Sequence, residues 1–153
     1  MPAYSRSLER LASEGAIERR EVGSQQIQHW LERSERDLAL AAHAASIDDS
    51  ERAATLVYEA GLRACIALLA LSGYRLRSGE GHHRAALEAA TALGGPEVEP
   101  AISRLDDARR YRNNSLYGTA RPVGDLELLR LRESAEHLIR LSREPRKANR
   151  ESR

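Results

Sequence analysis

From about Ser24, residues Ile27, Leu31, Ser34, Leu38, Ala41 and Ala45 follow one another at alternating steps of four and three, with Trp30 beside them. That spacing predicts a helix with one face turned to a core. Asp48, with Glu51 three residues on, has the form of a capping box. It opens a second helix through Ala54, Val57, Gly61, Ala64, Leu68 and Leu71 to a C-cap at Gly73, and its dense apolar character makes it the most buried element. A polar turn from Tyr74 to Gly81 leads to a shorter helix, His82 to Leu93, closed by Gly94, Gly95 and Pro96. Pro100 suits the first turn of a fourth helix that continues to Tyr117 and stops at Gly118. Beyond Pro122 and Gly124, Asp125 caps a last helix to about Ser142, and Pro145 ends it. Ahead of all these, residues 4–14 suit a short helix ending at Gly15, and Ile17 to Gly23 an irregular charged link. The linkers are short, so neighbouring helices should run antiparallel. The expectation is all-α: an up-and-down bundle of four or five helices over residues 24–144, an N-terminal arm over 1–23 and a disordered charged tail over 145–153.

Composition narrows the function classes. A chain of 153 residues is long enough for one core without disulfides or a structural metal. Net charge is +1, so an attraction to nucleic acid has to come from a local patch, and residues 104–112 supply one. Almost every cation is arginine, Lys147 being the one lysine, and guanidinium forks bind phosphate bidentately. The lone Cys65 excludes an intramolecular disulfide and a cysteine zinc site, and its apolar surroundings predict a packed thiol. The most apolar run, Ala64 to Leu71, is well short of the ~18 residues of a membrane span, and residues 1–22 mix both charges, unlike a signal peptide. A cytoplasmic protein with no membrane association is expected.

The fourth helix departs from its own pattern. Ile102, Leu105 and Leu116 define an apolar stripe whose continuation includes Arg109 and Arg112. On its flank Asp106, Arg109, Asn113 and Tyr117 form a polar strip. An unpaired buried charge costs several kcal/mol. These arginines therefore either pair with carboxylates such as Glu59 or Asp106, or line a cleft that takes an oxyanion such as phosphate.

Adjacent His82 and His83 diverge by about 100° on a helix and do not form the i, i+4 pair of a metal site. They suit either helix initiation and packing or a role in a ligand site. Tyr58 and Tyr111 suit core packing or stacking on bases. Gly79-Glu80-Gly81 lacks the preceding strand that a phosphate loop requires. Neither metal nor cofactor is expected.

Trp30 to Ala42, Val57-Tyr58-Glu59-Ala60 through Leu69, Gly73-Tyr74-Arg75, Gly81-His82-His83, and Arg112-Asn113 with Tyr117 together resemble a HEPN domain over roughly residues 25–140. The resemblance implies a helical bundle that pairs as a homodimer. Two Arg-polar-x-x-x-His motifs then meet across the interface and cleave RNA without metal, as in components of toxin-antitoxin or defence systems. Arg112 and Asn113 match the first two motif positions, with Arg109, His82 and His83 as further phosphate or RNA contacts. Tyr117 stands where the motif carries histidine, and a phenol of ordinary pKa, about 10, is only ~0.1% ionised at pH 7. The expected partner is RNA or a nucleotide. Two other readings are a non-catalytic partner or substrate of a minimal nucleotidyltransferase, with Tyr117 as acceptor, and a dimerising adaptor.

Overall fold

Small residues decide how closely these helices approach. The structure, a computed structural model, describes the backbone of residues 3–77, 81–116 and 122–144 and the side chains of 5–77, 81–112 and 122–144. Among the described residues, helices α1 (Ala3–Ser13), α2 (Ser24–Ser46), α3 (Ser50–Leu71), α4 (His82–Gly94), α5 (Glu99–Leu116) and α6 (Asp125–Arg143) are joined by two short strands, β1 (Ile17–Arg19) and β2 (Tyr74–Leu76). The all-α bundle expected from the periodicity is present. Its axis is α3, against which α2, α6, α4 and α5 all pack. Ala53, Ala60, Ala64, Ala67 and Leu69 on this helix have no exposed surface. Two neighbours lean in closely enough for serine hydroxyls to reach its carbonyls: Ser34 on α2 donates to Ala60 O (3.0 Å) and Ser142 on α6 to Ala64 O (3.1 Å). By length and composition α3 could cross a membrane, with a mean hydropathy of 1.6 over an 18-residue window that extends beyond the run Ala64 to Leu71. Its apolar side chains are instead consumed by the bundle, most of that window being buried.

The predicted helix boundaries hold to within a residue or two, and three details differ. Ala44, not Ala45, closes the buried stripe of α2, because Asp37 is drawn into the interface and the face follows 37, 41, 44. Asp49, not Asp48, caps α3, its carboxylate accepting from Arg52 N at 3.0 Å, while Asp48 turns the chain at φ +61. Gly124 occupies the cap position of α6, and Asp125 lies inside the first turn, where its charge meets the positive end of the helix dipole.

A larger difference is the segment expected to be an irregular link. Ile17, Glu18 and Arg19 pair antiparallel with Leu76, Arg75 and Tyr74. Ile17 is buried in the same core as Leu11 of α1, and the Arg19 guanidinium lies 5.2 Å from the centre of the Tyr74 ring. Three-residue strands carry too little alternation to be recognised locally; their partner is nearly sixty residues away. The ladder clamps the chain just before α4 and so helps fix where that helix begins. Gly81, at φ +78, precedes His82 in a conformation that side chains resist.

Gly61 on α3 fixes the distance to α5. A methyl group there would lie 2.6 and 2.9 Å from the two terminal carbons of Leu105, which is itself fully buried. Overpacking of this kind costs about 1–3 kcal/mol, and alanine returns about 1 kcal/mol as a better helix former. Gly61→Ala is thus expected to lose up to about 2 kcal/mol in urea unfolding. A variant as stable as the parent would mean that Leu105 shifts freely.

Candidate functional site

The first half of α5 is core: Ala101, Ile102 and Leu105 are buried. Its second half emerges from the bundle, and there Ala108, Arg109, Tyr111 and Arg112 are half-buried. Arg109 and Arg112 therefore lie at the edge of the interior. Arg109 Nε donates to Asp106 Oδ1 at 3.0 Å, and Arg110 reaches Asp106 Oδ2 at 3.0 Å. Arg112 stands 3.8 Å from the Glu59 carboxylate on α3, too far for a hydrogen bond. The carboxylates anticipated for ion pairing are thus the ones found, yet the two arginines are not sealed, with side chains 24% and 36% exposed for Arg109 and Arg112. Pairs this open contribute at most about 1 kcal/mol. Asp106 and Glu59 between them serve three guanidiniums, which leaves one positive charge in this set to attract an anion.

A third element, α4, meets α3 beside these arginines. Tyr58, one turn before Gly61 on α3 and 1% exposed, places its hydroxyl 2.9 Å from Nδ1 of His83. Burial pushes the phenol up to about 12 despite the opposing pull of Arg112 and Arg109. Burial, the His82 imidazole and then the Arg112 and Arg109 guanidiniums hold His83 below the ordinary imidazole value of 6.5. His83 is consequently neutral at physiological pH. Tyr58 and Glu59 are neighbours on α3, so the contact of one with His83 and of the other with Arg112 brings α3, α4 and α5 into one neighbourhood.

His82 is exposed and meets His83 edge-on, ring centres 4.3 Å apart. It also lines a polar cavity of about 610 Å³ between α1 and the start of α4, with Arg10, Arg77, Arg84, Glu14 and Glu88 among the walls. Arg10 engages both of those glutamates. Among the described residues no cluster of His, Cys, Asp or Glu has the makings of a metal site.

Of the residues singled out from the sequence, Arg109, Arg112 and His83 come together, and His82 flanks them. Asn113 lies on α5, but its side chain is outside the described residues. Tyr117 lies outside them altogether, and with it the acceptor role suggested for a nucleotidyltransferase substrate. Tyr58 is too deeply buried to stack on a base and acts on His83 instead. Its sequence signal was a phenol inside an apolar run, since a buried hydroxyl demands a partner. Which partner, only packing reveals.

No curated protein and no solved structure matches the chain. The model of the HEPN domain family matches residues 27–147, which takes in α2 from Ile27 onward, all of α3 to α6, and Tyr58, Glu59, His83, Arg109 and Arg112. On that match, over most of its length, the chain belongs to the HEPN domain family.

Proposed function

We propose that the chain binds RNA through the phosphate backbone at the cleft between α3, α4 and α5, as the RNA-holding component of a toxin-antitoxin or defence system. The observation that carries this reading is the convergence of Arg109, Arg112 and His83 at a half-exposed edge of the core, with more guanidinium than carboxylate charge. Two guanidiniums and an imidazole suit a phosphodiester, because forked N–H donors match its two free oxygens. The basic lining continues past His82 to Arg84 and Arg77 on the far side of α4, a second place for the same strand's charge. As a homodimer the chain presents two such clefts to one RNA, which raises avidity without new contacts.

The test is fluorescence anisotropy with a labelled single-stranded RNA across a salt series, comparing the parent with Arg112→Gln. A charge-assisted hydrogen bond contributes about 1.5–3 kcal/mol, so affinity should fall roughly tenfold to a hundredfold. The slope of log affinity against log salt should shrink by about one. Equal affinity and equal slope would remove the cleft from RNA binding. Among the described residues Arg112 makes one long ion pair, so the variant is expected to fold normally.

A further inference from the structure

We infer that Tyr58 is a positioning residue that locks His83 in the tautomer with the proton on Nε2, which makes the imidazole a hydrogen-bond donor to phosphate and removes it as a proton acceptor. The inference rests on the RNA-phosphate reading of the cleft and adds that His83 holds RNA without serving as the base that cuts it.

The argument begins with the single hydrogen bond between Tyr58 and His83 Nδ1, 2.9 Å long. Either group could supply the proton. If Nδ1–H donated, the phenol hydrogen would need an acceptor of its own in a pocket where Tyr58 is 1% exposed, and no other hydrogen bond of Tyr58 exists among the described residues. Leaving it unmatched is the costlier arrangement. The phenol therefore donates and Nδ1 accepts. A neutral imidazole carries one proton, which then sits on Nε2. Nε2, across the ring from Nδ1, makes no hydrogen bond to the described residues.

The charged groups around the ring reinforce this state. From α3 come Tyr58 and Glu59, the latter drawn toward Arg112; from α4 comes His82; from α5 come Arg109 and Arg112. His83 also sits in the first turn of α4, where the positive end of the helix dipole opposes an imidazolium. RNA cleavage through the 2′-hydroxyl needs an unprotonated nitrogen facing the substrate. Here Nδ1 faces a buried phenol, and Nε2 already holds a proton. A neutral N–H beside two guanidiniums donates to a phosphate oxygen without having to be protonated first.

Long-range proton–nitrogen NMR correlation on the full-length, nitrogen-15-labelled protein from about pH 5 to about pH 8 tests this directly. The His83 signals are identified by their loss in His83→Gln. The expected result at neutral pH is one tautomer, with Nδ1 at the shift of an unprotonated nitrogen and Nε2 at that of a protonated one. In Tyr58→Phe both nitrogens should move toward averaged shifts. In the same preparation the parent should bind a single-stranded RNA, and any fragments ending in a cyclic phosphate should form equally with His83→Gln. A protonated Nδ1 or averaged shifts in the parent would overturn the inference, as would RNA cleavage that His83→Gln abolishes. The tautomer is read without RNA, so a failure of the RNA-binding reading with Arg112→Gln would leave the NMR result standing on its own.

Discussion

Raising the pH to about 11 is expected to remove on the order of 4 kcal/mol of folding stability, a large share of the 5–15 kcal/mol typical of a domain. Two buried acids are responsible. Cys65 has no exposed surface, and burial raises its thiol from 9.0 to about 12. Tyr58 is raised from 10.0 to about 12, also by burial. The unfolded chain releases these protons at the ordinary values while the folded chain holds on to them. Stability is therefore whole below pH 9.0, and it falls as pH rises toward about 12. At about 1.4 kcal/mol per pH unit, complete loss amounts to about 4 kcal/mol for Cys65 and about 3 kcal/mol for Tyr58. The chain has one lysine, Lys147, so lysine ion pairs contribute little in this range. Urea midpoints measured across the alkaline range give the curve. Cys65→Ala should postpone the onset from 9.0 to 10.0, since only Tyr58 then titrates. A midpoint that stays flat to about pH 11 would show that water reaches both groups.

Arg63→Ala is expected to destabilise the fold by about 3 kcal/mol, the low end of the range for stranding one member of a buried ion pair. The member stranded is Asp37 of α2, 1% exposed, held by Arg63 of α3 and by Arg33 one turn earlier, whose Nε lies 3.3 Å from Oδ1. That Oδ1 accepts no hydrogen bond, so the carboxylate already depends on its neighbours' charge. Arg33 is 45% exposed and remains in the variant, which is why the low end applies. Asp37→Leu should cost far less, because the two guanidiniums it releases are partly solvated already and can turn outward. Combining Asp37→Leu with Arg63→Ala should recover most of the loss. Chemical denaturation of the four proteins yields the coupling directly. A cost below about 1 kcal/mol for Arg63→Ala alone would mean that Arg33 suffices.

These two sites show where a sequence stops being informative. Asp37 sits three residues after Ser34 and one before Leu38, and by spacing alone it is a surface charge. Its burial depends on a guanidinium 26 positions away. Cys65 was legible, because an isolated thiol in a long apolar helix has few places to be. Tyr58 was legible as a buried residue but not as the partner of His83.

The sequence by itself determined the helices, their approximate ends, the burial of α3 and the interruption of the α5 stripe by Arg109 and Arg112. All of these follow from the 3.6-residue repeat and from local cap and turn chemistry, which act between residues a few positions apart. Tertiary structure alone decided the ladder between Ile17–Arg19 and Tyr74–Leu76, the rescue of Asp37 by Arg63, and the meeting of Tyr58, His83, Arg109 and Arg112. Each of these joins residues more than twenty positions apart, and the distances depend on how near alanine and glycine let the helices come. Local periodicity carries no record of that spacing.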